Sequence, residues 1–219
     1  MKREIENYYN NDPEAKIRAR VTFSLIKREN KDKKILDIGC GYGELLHLLK
    51  KEGFDNIYGL DISYKCLCAC KKKGIRNVIK VDVDRERLPY QKNSFDIVIV
   101  TEVFEHLFNP NFLLQEIKRI LKKGGIAIFS FPNELNLVCR IKVLLKGMVH
   151  DPTAVGSHIR FFEPKSIRKF LERGGFNIIE MRGKYLGKKL YKFFPLLPFL
   201  SNKFPSLFAR TIFVKAIKK

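Results

Sequence analysis

LDIGCGYGELL, residues 36–46, decides the fold of this chain, because a short apolar run gives way to three glycines within five positions. The apolar run covers 33–38, and a helical pattern closed by a glycine follows over 44–53. This order predicts a buried strand, a tight turn and a helix. Glycines at such a turn let a ligand lie against bare backbone.

The same alternation of strand and helix continues along the chain. Ser63 and Pro110 begin two further helices, and an amphipathic helix over 13–28 precedes the first strand. Apolar runs between amphipathic helices indicate βαβ units, and so a parallel sheet covered on both faces. The predicted strands are 33–38, 56–62, 77–83, 95–100, 125–131, 176–181 and 209–217, with late helices over 134–146 and from Glu163.

Length and composition bound the class of protein. The 219 residues suit a single domain, 1–219, with a sizeable core. The formal net charge of +20 favours an anionic partner, either nucleic acid or a membrane surface, unless the lysines only solvate the surface. Five cysteines, an odd number, and an N-terminus without an apolar signal-peptide core predict reduced thiols and a cytoplasmic location.

The glycine turn excludes two common phosphate sites. The third glycine falls one place early for a dinucleotide-binding turn, and no Gly-Lys-Ser/Thr follows for a P-loop. Glu44 in the first helical turn would repel a pyrophosphate, which favours a ligand without phosphates. Asp61 ends the second strand, where an acid can take both ribose hydroxyls. Asp82 is predicted to end the third strand beside an adenine, and Asp37 lies just inside the end of the first.

Four stretches, in order, resemble the motifs of class I S-adenosylmethionine-dependent methyltransferases of the type 11/23 kind: LDIGCGYGELL, GLDIS, VDVDRERLPYQKNSFDIVIVTEVFEHL and LKKGGIAIFSFPN. The resemblance implies a Rossmann-like, doubly wound, seven-stranded sheet, mostly parallel, with its last strand antiparallel. It implies S-adenosylmethionine as the cofactor. The cofactor-binding residues predicted from it are Asp37, Gly39, Cys40, Gly41, Tyr42, Gly43, Asp61, Ile62, Asp82, Val83, Thr101 and Glu102.

Two histidines are the predicted catalytic bases. His106 follows the fourth strand, and His158 lies in an irregular segment that would cover the site. We predict no resident metal, but one alternative stays open. Glu102, Glu105, His106 and His158 resemble the metal-binding set of ubiquinone-type O-methyltransferases and small-RNA 2′-O-methyltransferases, whereas Glu-x-x-Glu-His also occurs in relatives thought to use no metal.

The acceptor side is less defined. We expect a small-molecule or lipid-linked acceptor, methylated at oxygen, beneath a lid over 133–165. In this fold acceptor contacts come from the leading helical segment 1–30 and from this lid. The contacts guessed from location are Tyr8, Tyr9, Phe131, Asn133, Arg140 and Arg160. An insertion over 186–209 combines phenylalanines with lysines. It either folds over the sheet or at a homodimer contact, or it lies with Arg210 on an anionic membrane as a peripheral segment.

Two other functions are kept as alternatives. An RNA 2′-O- or base methyltransferase would use the positive charge, but the chain has no RNP signature or KH-type loop, so nucleic acid ranks second. CGYGELL, VDVDRERL and SFPN also resemble the MetW group, which implies a cofactor-binding subunit that regulates a partner. Complete glycine and acidic positions with two candidate bases favour an enzyme.

Overall fold

The computed structural model describes residues 13–147, 158–184 and 196–219, which form one seven-stranded sheet with helices on both faces. Strands β1 to β7 are Ile35–Ile38, Ile57–Asp61, Val78–Lys80, Phe95–Thr101, Leu121–Pro132, Phe176–Lys184 and Thr211–Lys218. Helices α1 to α8 are Pro13–Ile26, Glu44–Lys51, Tyr64–Lys72, Pro110–Ile120, Leu137–Lys146, Pro164–Arg173, Leu197–Lys203 and Pro205–Phe208.

The strands lie in the order β3-β2-β1-β4-β5-β7-β6. Neighbouring strands from β3 to β5 are parallel, whereas β7 runs antiparallel to both β5 and β6. The predicted seven-stranded sheet with an antiparallel last strand is confirmed. The chain order reverses between β1 and β4, and ligands of such sheets bind beyond the strand ends at that point.

Strand β4 shows how the core divides into two layers. Ile97 and Ile99 pack with α1, α2 and α3 on one face of the sheet, and Val98 and Val100 pack with α4 and α6 on the other. Successive side chains of a strand point to opposite faces, so a continuous apolar run indicates a strand buried on both sides. This is why the run FDIVIV was recognisable from sequence.

Helix starts follow local capping chemistry. The Ser63 hydroxyl accepts a hydrogen bond from the Cys66 amide at 3.4 Å, and Pro110 opens α4 behind the capping side chain of Asn109, so both predicted starts are confirmed. Each cap satisfies a backbone N–H that has no partner within the helix.

The third strand is shorter than predicted. It ends at Lys80, so Asp82 does not end a strand but lies in the turn that follows. The Asp84 amide donates to the Asp82 carboxylate at 3.1 Å, and the Asp82 amide donates to Glu86 at 3.0 Å. These local hydrogen bonds satisfy the backbone without a neighbouring strand and end the pairing.

The insertion before the last strand is described only from residue 196 onward, where α7 and α8 pack against β6. The buried amide of Asn133 anchors it, because its nitrogen donates to the carbonyls of Pro205 and Ala209, both at 2.9 Å. This part of 186–209 therefore folds against the sheet. Among the described residues, no helix is long and apolar enough to cross a membrane.

Candidate functional site

The glycine turn joins β1 to α2 at the reversal point of the sheet. Gly39, Gly41 and Gly43 have φ angles of 73°, 49° and 75°, which L-residues rarely adopt. The amides of Gly39 and Cys40 both donate to the Leu60 carbonyl at the end of β2, at 2.8 and 2.9 Å. The turn is therefore tied to the next strand, and α2 begins immediately after it.

The three glycines differ in what surrounds them. A Cβ atom at Gly39 would lie 2.4 Å from Val103 Cγ2, and one at Gly43 would lie 2.8 Å from Cys70 Sγ. A Cβ atom at Gly41 would meet nothing within 4 Å. The outer two glycines thus permit close packing inside the protein, while Gly41 leaves open space where a ligand can lie along the backbone.

Gly39→Ala is expected to lower the free energy of unfolding by about 2–4 kcal/mol, from left-handed strain together with the clash against Val103. Gly124→Ala is the matched control, because Gly124 has φ 69° and a Cβ atom added there would meet nothing within 4 Å. It should show the strain alone, about 1–2 kcal/mol. Urea unfolding measures both, and equal losses would contradict the steric argument.

Asp61 connects the turn to the end of β2. One carboxylate oxygen accepts the Gly41 amide and the other accepts the Ser63 amide, each at 2.8 Å. Two backbone donors fix the orientation of this half-buried side chain and leave further lone pairs for a ligand. Ile62 beside it is 59% exposed, which suits an apolar contact with a bound group.

Asp37 is buried beneath the turn, and its Oδ1 atom has no hydrogen-bond partner among the described residues. Burial, with the nearby Cys70 and Asp61, raises the pKa of Asp37 well above the usual carboxyl range. An orphaned buried carboxyl is unfavourable by itself. A cationic ligand group at this position would satisfy it, which fits the ammonium of a methionine moiety.

Asp37→Asn is expected to stabilise the ligand-free protein near neutral pH by about 1–3 kcal/mol, because it replaces a buried carboxyl whose ionisation is unfavourable there with an amide that does not ionise. A raised folded-state pKa means that the wild type loses stability as the pH rises through that pKa, so the gain should be absent in acid and grow with pH. The substitution should also weaken S-adenosylhomocysteine binding about tenfold or more.

Urea unfolding at several pH values and titration calorimetry measure the two effects. Asp55→Asn is the control, since Asp55 is exposed near the opposite end of the sheet. A gain in stability with unchanged affinity would separate Asp37 from the ligand.

Helix α3 and its cap hold the turn from behind, a role that sequence reasoning missed. The Cys70 thiol donates to the Gly41 carbonyl at 3.3 Å, and the Lys73 ammonium donates to the Tyr42 carbonyl at 2.9 Å. Lys73 also pairs with Glu44 at 2.5 Å, so the carboxylate expected to repel phosphate is already neutralised. Cys70 is thus a thiol that supports the glycine turn.

The remaining predicted cofactor residues follow β3 and β4, the strands on either side of β2 and β1. Asp82 and Val83 are half-buried in the turn after β3, with Val83 against the core. Thr101 ends β4, and Glu102 follows with a left-handed φ of 54°. The Ser130 hydroxyl donates to Glu102 at 2.8 Å, which connects the ends of β4 and β5.

The two histidines meet although they lie far apart in the chain. The ring centroids of His106 and His158 lie 5.1 Å apart, edge to face. The amides of Ile159 and Arg160 donate to the Glu105 carbonyl at 3.0 and 3.2 Å and hold the second segment on the first. The buried carboxylate of Glu134 lies 2.5 Å from Nδ1 of His158 and fixes its ring. Glu134 is a further residue that sequence reasoning missed.

Glu105 lies beneath the two rings and is fully buried. Neither carboxylate oxygen has a hydrogen-bond partner among the described residues, and burial with the charge of Glu102 raises its pKa well above the usual range. Glu105, His106 and His158 each offer one ligand atom, all within 4.8 Å of one another. Glu102 is not part of this group, so only three of the four residues that resemble a metal-binding set lie together.

The six residues guessed as acceptor contacts have different surroundings in the structure. Phe131 is fully buried against Phe104 and Phe162, and Asn133 is buried with its amide bound to the insertion, so both are structural and those guesses were wrong. Arg160 donates to the Leu107 and Phe108 carbonyls, and Arg140 is exposed on α5. Tyr8 and Tyr9 lie outside the described residues.

Comparison with known proteins identifies the family. A family model described as a methyltransferase domain matches residues 9–181. The ubiquinone/menaquinone biosynthesis C-methyltransferase UbiE of Wigglesworthia glossinidia brevipalpis is 39% identical over 116 residues, 48% of this chain and 46% of that protein. The ubiquinone biosynthesis O-methyltransferase of Colwellia psychrerythraea is 27% identical over 161 residues, 69% of this chain and 64% of that protein.

Solved methyltransferase structures share this fold. A crystal structure of an S-adenosylmethionine-dependent methyltransferase from Archaeoglobus fulgidus superposes with a TM-score of 0.66 and 24% identity, over 93% of each chain. The chain spans about half of the first relative and less than two thirds of the second, so it shares their domain rather than their full length. With the glycine turn, Asp61 and the orphaned Asp37 at the reversal point of the sheet, the matches show that this chain belongs to the methyltransferase domain family and is an S-adenosylmethionine-dependent methyltransferase.

Proposed function

We propose that the protein methylates a hydroxyl oxygen of a small or lipid-linked acceptor, bound beside Glu105, His106 and His158. One observation carries this proposal: the imidazoles of His106 and His158 lie together with the buried carboxylate of Glu105, which accepts no hydrogen bond from the described residues. Glu105 and His106 follow β4, at the end of the sheet that carries the glycine turn. A hydroxyl acceptor needs a group that removes its proton, and imidazole does so near neutral pH.

The bound cofactor supplies a methyl group already activated on a sulfonium. Asp37, the glycine turn and Asp61 hold and orient the methionine and ribose portions, and Asp82 and Val83 border the adenine. His106, 43% exposed at its side chain, accepts the proton of the acceptor hydroxyl. His158, oriented by Glu134, holds that hydroxyl beside His106. The protein contributes positioning and proton removal.

A divalent cation is a second way to activate the same hydroxyl. Glu105, His106 and His158 would hold it, and bound to the acceptor oxygen it would lower the pKa of the hydroxyl. Two imidazoles with one carboxylate suit Zn²⁺, Mn²⁺ or Fe²⁺ better than Mg²⁺, which prefers oxygen ligands. The Glu105 oxygens fit this role, because they accept no hydrogen bond from the described residues and a cation would satisfy them.

Two lines support the acceptor class. The matched quinone-pathway relatives are named for a C-methyltransferase and an O-methyltransferase, and a positioned base or cation favours oxygen.

We also propose that the protein contacts anionic membranes peripherally through 186–210. In its described part, Leu196, Phe199 and Phe204 are 69%, 60% and 46% exposed, and Lys203 lies over both phenylalanine rings.

The test uses the protein with labelled methyl donor and three acceptor pools: catechols and prenylated quinols, total RNA, and a cell extract fractionated by solvent. The proposal expects label in the phenolic or lipid fraction, as a methyl ether that resists base. Label in RNA would instead favour the nucleic-acid alternative, and label on carbon would contradict the oxygen assignment.

The cation is tested separately by adding Mg²⁺, Mn²⁺ or Zn²⁺ to chelator-treated protein. Binding should raise the midpoint of thermal unfolding in wild type but not in Glu105→Gln. If neither stability nor activity responds to any ion, the histidines act without a metal.

A further inference from the structure

Helix α5 presents its apolar side outward. At 100° per residue, Leu137, Val138, Ile141, Leu144 and Leu145 fall within about 120° of the helix circumference. We call these five residues the α5 stripe. They are 40%, 45%, 46%, 84% and 76% exposed, and within 13–147, 158–184 and 196–219 nothing buries them. Ordinary surface helices turn such a stripe to the core.

The start of α5 is anchored to the protein, whereas no residue of the helix is buried and Val143, opposite the stripe, is 44% exposed. Cys139 is half-buried, and the side-chain amide of the capping Asn136 donates to its sulfur at 3.3 Å. Asn136 is itself bound to the Asn133 carbonyl at 2.6 Å, and Asn133 anchors the insertion. The helix is therefore capped and fixed at its start, and the turns that follow, with the α5 stripe, are exposed.

The charges next to the stripe are all positive. Arg140 and Lys142 flank it on either side, Lys146 ends the helix, and no acid occurs from Leu135 to His150. A second copy of the helix would bring like charges together, and the chain range 185–195 carries three lysines and no acid. An apolar stripe between cations matches a bilayer surface with anionic headgroups.

We infer that the α5 stripe docks on an anionic lipid bilayer, with its leucines among the headgroups and Arg140 and Lys142 on the phosphates. The choice of a lipid partner rests on the proposed function, but the surface is distinct from 186–210. Glu134, which orients His158, lies two residues before the cap of α5. Docking would therefore place the catalytic cluster next to the membrane, where a lipid-linked acceptor resides.

The chain contains no tryptophan, so a single introduced one reports on its own surroundings. Leu144→Trp should emit at long wavelength in buffer, then shift to shorter wavelength and be quenched by brominated lipid when vesicles with phosphatidylglycerol are added. Ile179→Trp is the control, because Ile179 on β6 is also exposed, at 53%, and should not respond. Neutral vesicles should give a weaker response than anionic ones.

Co-sedimentation of Leu144→Gln/Leu145→Gln with the same vesicles should show a partition coefficient at least about tenfold lower than wild type, while Ile179→Gln behaves like wild type. Both leucine changes leave the net charge at its original value. The binding assay contains neither methyl donor nor acceptor. Failure of the stripe to dock and failure of methyl transfer to a soluble phenol are therefore read independently.

Three results would overturn the inference. If the emission wavelength of Leu144→Trp does not change when vesicles are added, the stripe does not contact lipid. Short-wavelength emission before lipid is added, at every protein concentration, would mean that another part of the chain covers it. A shift that depends on protein concentration would mean that a second copy covers it.

Discussion

Replacing His106 with alanine is expected to lower the rate of methyl transfer by about 10²–10⁴-fold while leaving cofactor affinity within a factor of two. Loss of a positioned base accounts for that range. The imidazole lies beside His158 rather than in the glycine turn, so the donor site should be intact. Single-turnover transfer and calorimetry with S-adenosylhomocysteine measure the two quantities.

Two comparisons make the His106 result specific. Added imidazole should partly restore the alanine variant if the residue acts as a base. Glu134→Gln should slow transfer less than His106→Ala, because in the proposed mechanism Glu134 acts only through His158, whose ring it contacts. A rate for His106→Ala within threefold of wild type would remove His106 from the catalytic step.

Asp61→Ala should weaken S-adenosylhomocysteine binding by about a hundredfold, or 2.7 kcal/mol. In the proposed binding mode the change removes charge-assisted hydrogen bonds to the ribose, each of about 1.5–3 kcal/mol. It also leaves the amides of Gly41 and Ser63 without the carboxylate that accepts from them. Asp55→Ala is the control, because Asp55 lies just before the same strand at the opposite edge of the sheet.

Calorimetry measures the affinity of the Asp61 variant, and thermal unfolding shows whether the variant is folded. A folded Asp61→Ala with affinity within threefold of wild type would mean that the ribose is not held there. In the proposed mechanism Asp61 binds the cofactor and His106 acts on the acceptor, so His106→Ala should lower the rate and Asp61→Ala the affinity.

The residues that sequence reasoning located best follow strands. Gly39, Gly41, Gly43 and Asp61 belong to runs whose apolar period and turn chemistry are local, so their position at the sheet edge could be inferred without coordinates. Asp82 was placed less well, because its own side-chain hydrogen bonds end β3 early. Capping residues shift such boundaries where neighbouring strands do not determine them.

The residues that sequence reasoning missed act across the fold. Glu134 reaches His158 from 24 positions away, and Lys73 reaches the Tyr42 carbonyl from 31. No periodicity links such pairs, because each depends on how two elements dock. The same applies to Asn133, guessed as an acceptor contact, whose amide is used to anchor the late insertion.

The sequence by itself determined the alternation of strands and helices, the left-handed glycine turn and the acids at the strand ends, since these depend on hydrophobic period and backbone stereochemistry. Only the tertiary structure decided which polar groups converge. It joined Glu105, His106 and His158 while leaving Glu102 with Ser130, and it turned the apolar side of α5 outward. Burial and long-range contact are properties of the packed chain, and a local pattern of residues does not contain them.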